Sequence, residues 1–70
     1  MEKRRELGER IGYLRVAADH TQESFSEATG LSRRTLQRIE AGTADVRYSD
    51  LLKMAAVLDE DVADIIRARR

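Results

Sequence analysis

The chain has no cysteine, no proline and no tryptophan, and its aromatics stop at Tyr13, Phe25 and Tyr48. Without cysteine there is neither a disulfide framework nor a thiolate metal site, which fits a reducing compartment. Without proline, nothing removes a backbone donor or blocks the turn before it, so helices can form wherever the side chains favour them. No run of eighteen apolar residues exists, so no membrane-spanning helix is expected. The first ten residues include Glu2, Lys3, Arg4, Arg5, Glu6, Glu9 and Arg10, which is no signal-peptide core. These absences lead to the expectation of a cytoplasmic protein. With one histidine, no phosphate-cradling glycine loop and no carboxylate pair with reason to share a cleft, an enzyme is not expected. Nor is a cofactor, a metal or a small-molecule ligand.

An excess of one charge is also missing. Thirteen Lys and Arg balance thirteen Asp and Glu, although 37% of the residues are charged. Nucleic-acid binders are more often strongly basic, so the global balance speaks mildly against one. The distribution says something else. Residues 1–31 and 48–70 are each slightly acidic, whereas Arg33, Arg34, Arg38 and Arg47 face only Glu40 and Asp45 within residues 32–47.

What the chain does contain is Ala, Leu, Glu and Arg, a helix-forming composition. Seventy residues make one domain, 1–70, and so short a chain buries only about 60% of its unfolded surface. Leu7, Ile11, Leu14 and Ala18 fall on one helical face, which predicts a helix from about Glu2 to Ala18. Asp19 then suits a left-handed residue at its end. Thr21 is a fitting N-cap for a second helix over Gln22 to Thr29, with Phe25 and Ala28 inward and His20 stapled against Phe25. Gly30 ends that helix and Ser32 caps a third, about Arg33 to Ala41, with Leu36 and Ile39 inward and Gly42 beyond it. After a loop, Thr43 to Arg47, a fourth helix runs from about Tyr48 to Leu58 and carries Leu51, Leu52, Met54, Ala55 and Leu58. Asp59, Glu60 and Asp61 lead into a fifth, about 61–67, with Val62, Ile65 and Ile66 along one edge. Arg67, Arg69 and Arg70 complement its negative end. The expected class is all-α, five short helices that are stable only when packed together.

Two helices joined by a tight glycine-containing turn form a helix-turn-helix, and Gln22 to Ala41 has that size. Leu31, Leu36 and Ile39 would hold the second helix down, leaving Arg33, Arg34, Gln37 and Arg38 outward. Arginine pairs bidentately with guanine O6 and N7, and glutamine with adenine N6 and N7. A solvated helix face is the ordinary alternative for such charge. Against it, Arg34 and Arg38 are like charges at i, i+4, an arrangement that weakens a helix slightly.

Four segments, LGERIGYLR at Leu7–Arg15, TQESF at Thr21–Phe25, GLSRRTLQRIEAG at Gly30–Gly42 and DLLKMAAVL at Asp50–Leu58, occur in order. Together they resemble the helix-turn-helix family of phage Cro and CI repressors, the XRE family, across residues 7–66. The resemblance implies a compact five-helix, lambda-repressor-like domain and a sequence-specific double-stranded DNA-binding transcriptional regulator. It implies a homodimer on a palindromic operator, of the phage repressor, restriction–modification controller or antitoxin type. Residue by residue, it implies base contacts from Arg33, Arg34 and Arg38, with Gln37 at the edge of that face. It implies backbone contacts from Gln22, Ser32, Thr35, Thr43 and Arg47, and an ion pair between Arg15 and Glu40 that ties the first helix to the third. Val46 stands where the family often has proline and Asp59 where it has glycine; Glu60 and His20 replace apolar residues.

Tyr48 matches a core position at the start of the fourth helix. His20, a lone histidine with no second ligand nearby, suits packing on Phe25 better than chemistry. Leu58, Val62, Ile65 and Ile66 would either cap the monomer core or form the dimer interface. The rival to DNA binding is a protein-interaction module, an antitoxin or adaptor whose main partner is another protein. Such a module needs no arginine-rich face.

Overall fold

The computed structural model describes residues 3–67, and among them every regular element is a helix. α1 spans Lys3–Ala17, α2 Gln22–Thr29, α3 Arg33–Glu40, α4 Tyr48–Leu58 and α5 Val62–Arg67. The expected boundaries hold for α2 and α4. α1 stops one residue early at Ala17 and α3 at Glu40, because Ala18 and Ala41 already belong to the turns. Glu2, Arg69 and Arg70 lie outside the described residues.

The first four helices each end at a left-handed residue, and in α1, α3 and α4 the amide after it returns to a helix carbonyl. These residues are Asp19 (φ 64°), Gly30 (φ 81°), Gly42 (φ 76°) and Asp59 (φ 57°). That conformation turns the chain so that its next amides satisfy the last carbonyls of the helix. His20 N donates to Arg15 O at 3.0 Å, Thr43 N to Arg38 O at 3.0 Å and Glu60 N to Ala55 O at 3.0 Å. Asp tolerates the left-handed region better than most residues, so Asp59 serves where glycine is usual.

The core is continuous across all five helices. Ile11, Phe25, Leu36, Ile39, Met54 and Ile65 are fully enclosed, and Leu31, Leu51, Ala55 and Leu58 nearly so. Leu7, Leu14, Val46, Val57 and Val62 pack around them. Each enclosed side chain stabilises the fold by roughly 1.5–3 kcal/mol over its exposed state.

Several inward positions differ from expectation. Ala18 and Ala28 are exposed. Ala18 lies past the end of α1, and on α2 the buried partner of Phe25 is Thr29, four residues on. Thr29 is buried because its hydroxyl donates to Phe25 O at 2.7 Å and accepts from Leu31 N at 3.2 Å, so no polar atom is stranded. Tyr48 is 65% exposed rather than core, since Val46 packs against the core there. Leu58 and Ile65 are core residues, the first of the two roles left open for this edge. α5 has only six residues, and Ile65 is the one that seals it against its neighbours. Of the expected edge, Val62 is half-buried and Ile66 stays 53% exposed.

Candidate functional site

α2 and α3 are separated by three residues, and each joint of that turn is fixed. Thr21 Oγ1 accepts from Ser24 N at 3.0 Å while Ser24 Oγ accepts from Thr21 N at 3.0 Å, a reciprocal cap on α2. His20 extends this cap: its Nδ1 lies 2.9 Å from Ser24 Oγ, and its ring packs on Phe25 with centroids 5.5 Å apart. Inside the turn, Ser26 Oγ donates to Leu31 O, and Gly30 takes the left-handed conformation that a Cβ would strain. Ser32 then caps α3 by accepting from Thr35 N at 3.0 Å.

α3 is held from two sides. Leu36 and Ile39 press into the core. Glu40, at the helix end, is clamped by Arg15, whose Nε and Nη2 donate to Oε2 at 2.7 Å and Oε1 at 3.1 Å. The geometry is bidentate and the two side chains are only 14% and 11% exposed, conditions under which such a pair fixes orientation. Arg15 Nη1 also donates to His20 O at 2.7 Å, and Gln22 Nε2 to Glu40 Oε1 at 3.1 Å. One carboxylate therefore joins the end of α1, the start of α2 and the end of α3.

With these positions committed inward, Arg33, Arg34, Gln37 and Arg38 remain exposed on the opposite face of α3. Around them, Thr35 is half-buried at the first turn, and Arg47 is exposed at the end of the following loop. Ser32 and Thr43 are exposed, but their hydroxyl protons are spent within the chain. Ser32 Oγ donates to Thr35 Oγ1 at 2.8 Å, and Thr43 Oγ1 donates to Arg38 O at 3.2 Å. The structure thus brings the four outward residues of α3 onto one face and sets Gln22 at the Glu40 junction beside it.

One determinant of this geometry escaped the sequence reading. A Cβ on Gly8 would lie 2.1 Å from Ile39 O, and one on Gly12 would lie 3.2 Å from Glu40 Oε1. The two glycines, four apart on one face of α1, let its backbone touch the end of α3 directly. Their signal was present: glycine inside a helical pattern marks a close approach when nothing else explains it.

No helix among the described residues is long and apolar enough to cross a membrane. They also contain no group of three or more His, Cys, Asp or Glu placed to hold a metal.

Comparison with known proteins places this arrangement. The family model described as helix-turn-helix matches residues 11–65. Among solved structures, the restriction-modification controller protein C.AhdI from Aeromonas hydrophila is 28% identical, with a TM-score of 0.88 over 93% of this chain and 98% of that one. The clp gene regulator ClgR from C. glutamicum is 26% identical, with a TM-score of 0.85 over 93% of this chain and 84% of that one. No curated protein matches.

Proposed function

Because this chain belongs to the helix-turn-helix family and is a DNA-binding transcriptional regulator, we propose that it acts in the cytoplasm as a homodimer on a palindromic operator. α3 enters the major groove, where Arg33, Arg34 and Arg38 read base edges and Gln37 reads at the margin. The observation that carries this reading is the contrast between the two faces of α3. Its inner face is fixed by Leu36, Ile39 and the Arg15–Glu40–Gln22 junction, while its outer face holds exposed arginines that contribute nothing to the core. A rigid helix presenting uncommitted bidentate donors is what base discrimination requires.

Gln22, Ser32, Thr35, Thr43 and Arg47 surround that face and grip the phosphates. Thr35 and Arg47 are the stronger contacts, since Ser32 and Thr43 already donate their hydroxyl protons within the chain. Dimerisation rests on Val62, half-buried against the core, and on Ile66, which stays exposed beside it. Two copies place their reading helices on half-sites one helical turn, about 34 Å, apart.

Selection of bound duplexes from a random pool, at two salt concentrations, tests the proposal. A palindromic consensus with steeply salt-dependent affinity is expected. A consensus without symmetry would remove the dimer on a palindrome, and no enrichment at all would favour the protein-interaction reading.

A further inference from the structure

The charged opening of the chain has no part in the site described so far, yet the fold carries it there. Three contacts trace the path of α1 along the end of α3 and past it. Gly12 lies against Glu40, Gly8 against the carbonyl of Ile39, and Arg5 against Gly42. At the last of these, a Cβ on Gly42 would lie 2.7 Å from Arg5 Cα. The first turn of α1 is therefore pressed onto the start of the loop that runs from Thr43 to Arg47. Thr43, next to that contact, is bonded to the carbonyl of Arg38.

The charges sort accordingly. Residues 32–47 contain two acidic side chains, Glu40 and Asp45, and α1 supplies an arginine to each. Arg15 clamps Glu40, and Arg4 Nε sits 3.7 Å from Asp45 Oδ1. Arg5 is different: it is exposed, and among the described residues it makes no hydrogen bond or ion pair. α1 thus offsets both negative charges of the segment and adds one uncommitted cation at its edge.

We infer that the first turn of α1 is a further phosphate-contacting segment, in which Arg5 binds the DNA backbone beyond the loop while Arg4 masks Asp45. This rests on the DNA-binding reading above. It also accounts for a reading surface that is basic on a chain of zero net charge. The arginines that make it so come from two distant stretches of sequence.

The test is the salt dependence of binding to a mixed-sequence duplex for wild type, Arg5→Gln and a control, Arg67→Gln. Arg67 belongs to α5 and lines a cleft with Arg10, Glu60 and Asp64, away from the residues named above. Each phosphate contact adds about 0.9 to the slope of log K against log salt, equivalent to about eightfold in affinity at 0.1 M. Arg5→Gln is expected to lower the slope by that amount with its thermal midpoint unchanged, and Arg67→Gln to leave the slope alone. An equal slope in wild type and Arg5→Gln overturns the inference while leaving the proposed function standing. Loss of slope in both variants overturns it as well, since it would show a response to total charge. If Arg5→Gln lowers the thermal midpoint, Arg5→Lys decides, because lysine keeps the charge and must restore the slope. A wild-type protein that binds no duplex at any salt sinks the proposed function and this inference together.

Discussion

Replacing Gly8 with alanine sets two effects against each other. Alanine in a helix interior is favoured over glycine by about 1 kcal/mol. Against that, the new methyl would stand 2.1 Å from a backbone carbonyl, Ile39 O, which cannot move aside like a side chain. Overpacking of this kind costs about 1–3 kcal/mol or more, and the clash should win. Gly8→Ala is therefore expected to lower the midpoint of thermal unfolding by several degrees, as followed by circular dichroism. Gly12→Ala should be milder, because its methyl would stand 3.2 Å from Glu40 Oε1, so the clamped carboxylate has to give by only a few tenths of an ångström. Arg15 is governed by different physics. Arg15→Ala leaves Glu40 enclosed with only Gln22 for a partner, and stranding one member of a buried pair costs on the order of 3–5 kcal/mol. Urea denaturation of Arg15→Ala and of the Arg15→Ala/Glu40→Ala double variant checks this. The double variant should recover part of the loss, and a double variant no better than the single one would show that the stranded charge is not the cause.

At the level of the helices, most of the fold was legible, and the exceptions have local causes. Helix ends were marked by residues whose chemistry acts alone: Thr21 and Ser32 as caps, Asp19 and Gly30 as left-handed residues. Inward faces were less secure where the helix was short or the position terminal. On eight-residue α2, positions 28 and 29 are both one turn from Phe25, and the choice was settled by Thr29 hydroxyl bonds that no periodicity reports. Tyr48 sits at the first position of α4, where the core already ends at Val46. The outward residues of α3 were read by subtraction once its inward ones were assigned, whereas Gly8 and Gly12 needed the path of a second helix. The independence of the two faces of α3 is itself testable. Arg34→Ala and Arg38→Ala should leave stability unchanged or raise it by a few tenths of a kcal/mol, since they relieve an i, i+4 like-charge pair. The same variants should weaken operator binding by about 1–3 kcal/mol per lost base contact, and nonspecific binding by much less. Equal losses on operator and random DNA would argue that these arginines hold phosphate only.

At the scale of the whole fold, ten side chains among the described residues form one cluster that serves all five helices, so no helix has a core of its own. α5 is the shortest, tied in through Ile65 and leaving Ile66 half-exposed. Ile66→Glu places a charge on that open edge without touching Ile65. It should give monomers by light scattering and reduce operator affinity while the melting profile of the domain persists; dimers that survive it would move the interface elsewhere. The contact between Gly8 and Ile39 also bears on the order in which the molecule assembles. α2 and α3 are joined by three residues and can pair locally, but α1 meets α3 only across a long loop of chain whose closure must be completed first. Docking of α1 is thus expected to follow the rate-limiting step, so its interface contributes little to the speed of folding and much to the lifetime of the folded state. Stopped-flow measurements on Gly8→Ala should show faster unfolding with a nearly unchanged folding rate. A slowed folding limb would place the closure of α1 on α3 at the start of assembly.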